Sequence, residues 1–246
     1  PPRVERGDPR DRRDASLRAA IPEQQRRAYK IRPLLDAIFD RGSFFELSAL
    51  YGRSTLTGLA RLDGHSVGVF ANDPVHAGGA MTAQSSRKVR RLIELCDQFH
   101  LPIVTLVDQP GFLIGPEGEK SATLRFGVET LFAAMDSRVP WASVILRRSF
   151  GVAAGIHMGP GAMTFAWPSA RFGALPIEGG VALAYRKEIQ AAADPEQRRR
   201  EIEDEVARAQ SVFPRAEEFG VHEVIDPIET RPALCDSLLA SALQSS

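Results

Sequence analysis

Hydrophobic and polar positions alternate between two periods along most of this chain. Across residues 31–40 the apolar Ile31, Leu34, Leu35, Ile38 and Phe39 recur at helical spacing, and Arg41-Gly42 closes the run. Residues 44–47 and 58–62 read as strands. Asp63-Gly64 supplies the residues of a tight hairpin turn, and 66–71 is the returning strand. Residues 82–99 predict a long amphipathic helix with Val89, Leu92, Ile93, Cys96 and Phe99 on one stripe and Arg87, Lys88, Arg90 and Arg91 mostly off it. A strand over 103–107 follows, ended by the turn residues Asp108-Gln109-Pro110-Gly111. The next helix spans 121–135, where Leu124, Val128 and Leu131 read as core in preference to subunit contact. Pro140 introduces a buried strand centred on Val144, Ile145 and Leu146; it exits through Ser149-Phe150-Gly151-Val152 into a third helix beginning near Gly151, and 163–167 is the strand after it. This β-α-β-α-β order, with connections of crossover length, predicts an α/β fold with a parallel sheet and right-handed crossovers.

The two ends differ from this middle. Residues 1–27 are polar, rich in Pro, Arg and Asp, and read as an arm or linker with at most a short helix near 14–20. Toward the other end, 195–210 forms a helix of mixed charge whose polar face is solvated, Phe219-Gly220-Val221 and Val224-Ile225-Asp226-Pro227 give a short strand and turn, and a last helix covers 229–243. The chain opens on Pro1-Pro2 in place of Met, which reads as a processed product or as part of something longer.

Composition narrows the function classes. With 246 residues the chain can bury a substantial core. Its 31 basic side chains equal its 31 acidic ones, which argues against an extended nucleic-acid surface. No run reaches membrane-spanning length and no signal peptide is present, so no membrane partner is expected. Cys96 and Cys235 show no metal-type spacing, and Cys96 falls on a helix stripe, so a buried free thiol and a reducing, cytoplasmic setting are expected, with no metal.

Side chains with obvious chemistry are scarce. The GxSxG, HExxH and P-loop patterns are absent, and the five histidines are scattered singly. Of these only His157 follows the Gly151 turn, where it either lines a pocket or, as lone histidines more often do, fills core. Arg147 and Arg148 either attract a carboxylate or phosphate or form a surface ion pair, the default reading. Two glycine turns stand at strand exits, Gly111 and Gly151. Ligands of parallel α/β sheets bind at such carboxyl ends, and backbone N–H groups at a strand-to-helix turn can hold a developing oxyanion. The residues alone leave an α/β protein with anion-stabilising turns, or with glycines that only satisfy tight turns.

Read in order, several segments resemble the acyl-CoA carboxyltransferases. Asp108-Gln109-Pro110-Gly111-Phe112-Leu113-Ile114-Gly115-Pro116-Glu117 is similar to that family's DxPGF segment, and Val144-Ile145-Leu146-Arg147-Arg148-Ser149-Phe150-Gly151 to its strand and glycine turn. Ala166-Trp167-Pro168-Ser169-Ala170, Glu178-Gly179-Gly180, Arg186-Lys187-Glu188 and Val224-Ile225-Asp226-Pro227 recur in the same order, and Ala71-Asn72-Asp73-Pro74 with Gly78-Gly79-Ala80 matches the lead-in to the long helix. The resemblance covers about residues 28–240. It points to the C-terminal half of the carboxyltransferase subunit of biotin-dependent acyl-CoA carboxylases, such as the propionyl-CoA carboxylase β chain.

The resemblance implies a crotonase-like spiral of ββα units, with an arm over 1–27 and the carboxyltransferase domain over 28–246. It implies carboxyl transfer from carboxybiotin on a carrier protein to the α-carbon of a propionyl-CoA-like substrate. Val152 and Ala153 would offer backbone amides at the Gly151 turn, and Gly111, Phe112, Phe150, Gly155, Gly179 and Gly180 would border the biotin or acyl-CoA. Gly155 falls at the family's acyl-selecting position. The partners implied are an N-terminal carboxyltransferase half, without which the chain is inactive, a biotin carboxylase and biotin carrier subunit, and copies of itself. The rival readings are an acyl-CoA decarboxylase, a crotonase-type hydratase or hydrolase using Glu117 and Glu178, and a non-catalytic assembly domain.

Overall fold

The computed structural model describes residues 2–4, 7–24, 27–174, 181 and 184–244. Three strands, a short α-helix and a long one occupy much of the first hundred residues. Helix α1 is Arg32–Ile38, and strands β1, Phe45–Leu47, β2, Thr55–Leu62, and β3, His65–Asn72, follow it. The β2–β3 hairpin turns at Asp63 and Gly64, both at positive φ (49° and 77°), the geometry a two-residue turn needs to match strand twist. Helix α2, Ala83–Phe99, starts with a reciprocal capping box between Thr82 and Ser85 and stops where His100 turns left-handed at φ 54°.

The remaining elements are β4, Ile103–Gln109; α3, Pro116–Lys120; α4, Thr123–Met135; β5, Trp141–Phe150; β6, Met163–Ala166; β7, Arg171–Gly173; α5, Arg186–Ala191; α6, Pro195–Ala209; α7, Val212–Glu217; β8, Glu223–Val224; and α8, Thr230–Gln244. One sheet joins them in the order β1-β2-β3-β4-β5-β6-β8, parallel from β3 onward, as the crossover pattern predicts. β5 is long enough to serve two partners: residues 142–145 pair with β6, and 148–150 pair with β7.

Both faces of the sheet are covered at its centre, so β4 is buried throughout and β5 nearly so. Val104, Leu106, Ala142, Val144 and Leu146 face a core shared with α1, Trp167 and Leu234 of α8. Ile103 and Trp141 face the opposite way, onto Val89, Leu92, Ile93 and Cys96 of α2. Lys88, expected off the α2 stripe, is buried with Nζ donating to the Thr55 carbonyl at 2.9 Å, and burial pulls its pKa down; Phe99, expected on the stripe, is exposed. Leu124 and Val128 of α4, expected as core, are exposed too, because the inward side of that helix carries the smaller Thr123, Gly127, Thr130 and Ala134.

The polar arm of residues 1–27 lies on this body. Asp14 caps a 3-10 turn over Ala15–Ala19 that buries Leu17. Arg231 of α8 is buried; it pairs with Asp40 at 2.7 Å and donates to the carbonyls of Asp8, Pro9 and Ile38. Arg13–Glu229, Arg18–Asp226 and Arg10–Asp236 repeat the link at the surface.

Candidate active site

The strand exits are held by a buried charge network. The Asp108 carboxylate accepts from Arg147 Nη2 at 2.8 Å and Arg148 Nε at 2.6 Å, while its own backbone N–H donates to Asn72 Oδ1. Burial alone would raise the Asp108 carboxyl, but Arg148 and then Arg147 outweigh it and hold the pKa below the ordinary value. Arg147 stacks on Tyr29 at 5.0 Å and Arg148 Nη2 reaches the Gly78 carbonyl. The two arginines therefore form neither the expected surface pair nor a free anion site; they lock the ends of β4 and β5 side by side.

After Phe150 the chain does not enter the predicted α-helix. Gly151 takes φ 61°, ψ −166°, and a short 3-10 helix covers Val152–His157. Its far end is pinned to the sheet: the His157 carbonyl accepts from Ser143 Oγ at 2.6 Å and Thr105 Oγ1 at 3.1 Å. The His157 ring is fully buried, tilted over Phe70 at 4.8 Å, and burial lowers its pKa to about 3. It fills core.

Those two anchors present the turn to a cleft of about 470 Å³. Gly151, Ala154 and Gly155 form one side of it, with Ser149 and Met158. Phe172 and Gly173 of β7 form the floor, and Ala209 with Pro214, Arg215, Glu218 and Gly220 forms the far wall. Of the turn residues expected at the site, Gly151 and Gly155 line the cleft and Val152 and Ala153 do not; the wall drawn from residues 209–220 is what sequence reasoning missed. Its only local signal is the short helical run after Ser211, interrupted by Pro214.

The amides divide three ways. The Gly151 N–H is taken by the Gly173 carbonyl at 3.0 Å, so it is not a donor to ligand. The Val152 and Ala153 N–H groups have no hydrogen-bond partner among the described residues, as expected of the first positions of a helix. Val152 is 63% exposed, whereas Ala153 is fully buried beneath the turn, so the two are not equally accessible.

Other expected contacts are absent from the cleft. The Gly111 carbonyl accepts from Met81, its N–H donates to Gln109 Oε1, and the Phe112 ring fills the space over Gly127 of α4. Phe150 is buried against Gly173. Gly111 and Phe112 thus sit on a turn packed against Met81 and α4, and Phe150 ends β5 beside β7. At Gly155 a side chain would meet Leu131 Cδ1 at 3.2 Å, so Leu131 already takes part of the room left by the missing side chain. Glu178, Gly179 and Gly180 lie outside the described residues.

The order and direction of the strands, with helices over the sheet and a glycine turn at the exit of β5, define a crotonase-like α/β protein. The carboxyl transferase domain model matches residues 1–245, and the chain belongs to that family. It is 37% identical over 243 residues to the propionyl-CoA carboxylase carboxyltransferase subunit of Haloferax mediterranei, covering 97% of this chain and 47% of that one. It is 34% identical to the methylmalonyl-CoA carboxyltransferase 12S subunit of Propionibacterium freudenreichii subsp. shermanii, covering 92% and 44%. The crystal structure of a transcarboxylase 12S hexamer with methylmalonyl-coenzyme A and methylmalonic acid bound superposes with a TM-score of 0.92 at 33% identity, over 98% of this chain and 47% of the other. The chain spans about half the length of the curated relatives it matches. No helix among the described residues is long and apolar enough to cross a membrane.

Proposed function

We propose that this chain supplies the biotin-side half of an acyl-CoA carboxyltransferase acting on a propionyl-CoA-like substrate. In that reaction a carboxyl group passes from N1′ of carboxybiotin to the α-carbon of the thioester, and negative charge develops on the ureido oxygen and on the enolate. Fixed N–H dipoles stabilise such charge without a titratable side chain, which suits a cleft bordered by a glycine turn. The observation that carries the reading is the pair of unpartnered amides at Val152 and Ala153, one residue from a cleft lined by Gly151, Ala154 and Gly155, in a chain of the carboxyl transferase family. The glycine at 155 favours an acyl group larger than acetyl, within the limit set by Leu131. Gly179 and Gly180 remain candidates for the same rim. Carboxybiotin arrives on a carrier subunit served by a biotin carboxylase, in a cytoplasmic setting.

The partner at the turn is a second carboxyltransferase half. Leu124, Val128, Phe132 and Met135 form an exposed apolar face on α4, and α4 packs against the 3-10 turn that carries exposed Val152. Two findings favour that occupant: the chain spans about half the length of its relatives, and the 12S relative is described as a hexamer.

Val152→Pro tests the amide assignment. Position 152 opens the 3-10 helix, where proline is tolerated and no hydrogen bond is lost, so the protein should stay folded. Biotin-dependent carboxyl transfer by the assembled enzyme is expected to fall about 10²–10³-fold, the effect of deleting one oxyanion donor. Unchanged turnover in a folded variant overturns the assignment.

A further inference from the structure

The cleft has one feature that backbone chemistry does not use. Arg215, on α7, is the single basic side chain on its lining among the described residues. It makes no ion pair or side-chain hydrogen bond among those residues, although Glu218 stands one turn further along the same wall. Its guanidinium is nevertheless placed. It lies over the Phe172 ring at 6.0 Å, and Gly220 leaves it room: a Cβ there would meet Arg215 Nε at 2.1 Å. An arginine over an aromatic floor, with its hydrogen-bonding edge unclaimed by the described residues, is arranged to receive a planar oxyanion through two parallel N–H donors.

We infer that Arg215 binds the carboxylate that this cleft receives, namely the N-carboxylate of carboxybiotin; the inference rests on the carboxyltransferase reading above. Phe172 and Gly220 are positioning residues for it. The transfer itself balances without Arg215 changing its protonation. The N1′–carboxyl bond breaks, the bond from the carboxyl carbon to the α-carbon forms, and the α-proton ends on N1′. Arginine offers a permanent positive charge for the carboxylate before it moves, and takes no proton.

The test uses the assembled enzyme containing this chain and three variants, Arg215→Gln, Arg215→Lys and Arg215→Ala. The KM for the carboxylated biotin carrier is expected to rise about tenfold or more in Arg215→Gln and to recover in part in Arg215→Lys. Binding of biotinamide, which carries no carboxylate, should change less than about twofold, and added guanidinium ion should restore part of the Arg215→Ala rate. An unchanged KM in Arg215→Gln, with normal wild-type turnover, overturns the inference alone. A parallel loss of biotinamide binding also overturns it, since it would show that the side chain only shapes the cleft. Wild-type enzyme without biotin dependence would overturn the functional reading as well.

Discussion

His157 shows how burial sorts this chain's few titratable groups. Its Nδ1 has no partner, its ring is sealed beneath the turn, and its pKa is lowered from 6.5 to about 3 by burial. The unfolded chain takes up a proton near pH 6.5, the folded one only near 3. Stability that is fully present above pH 6.5 is therefore lost as pH falls from 6.5 toward about 3. His157→Gln removes that uptake. Its melting temperature is expected to stay flat between pH 6.5 and about 5, where carboxylates remain ionised and the wild type should already decline. Equal declines in both proteins would show that other groups dominate. Cys96, in the same layer, is a free thiol pushed up to about 12 by burial and the nearby Asp97, as its place on the stripe foretold. Arg147 was not legible in this way. Its sequence neighbourhood reads as a strand end, and only the fold reveals that Asp108, 39 residues upstream, is waiting at hydrogen-bond distance.

At the scale of elements, helix α2 lies close to the sheet because β3 has a glycine beneath it. A Cβ on Gly68 would meet Cys96 Sγ at 2.2 Å. Gly68→Ala is expected to lower the urea midpoint, by about 1–3 kcal/mol in stability, since the helix or the strand must shift. Cys96→Ala alone removes a buried side chain, but the double variant should recover part of the Gly68→Ala loss, and strictly additive effects would dismiss the clash. Elements with local punctuation were legible in the sequence: the Asp63-Gly64 hairpin, and α2 with its Thr82 start and left-handed stop at His100. Elements set by distant contacts were not. The run Gly151-Val152-Ala153-Ala154-Gly155 reads as a helix start, yet its length and 3-10 geometry follow from Ser143 and Thr105 clamping the His157 carbonyl. Strand β7 has three residues and exists through its pairing with β5, so no periodicity announces it.

At the scale of the whole molecule, α4 leaves an apolar face in water. Leu124, Val128, Phe132 and Met135 would be costly to leave in water across the whole helix, and they flank the turn assigned to chemistry. Leu124→Glu combined with Phe132→Glu should leave the melting temperature close to wild type while shifting the assembly, by light scattering, to a smaller mass with loss of transfer activity. A wild-type mass would show that another surface joins the subunits. The amphipathic period of α4 was readable in advance, but which of its sides turned inward was not, because Gly127 and Thr130 rather than the leucines accept the close approach of Phe112 and α2.

The buried Arg231 has a mechanical consequence for the whole. Its fork grips the Asp8 and Pro9 carbonyls and the Asp40 carboxylate at once, and that carboxylate in turn accepts the Asp63 and Gly64 amides at the hairpin tip. Peeling back the first twenty residues therefore also unlatches the terminal helix and slackens the hairpin. Residues more than two hundred positions apart behave as a single clasp that opens all at once or stays shut.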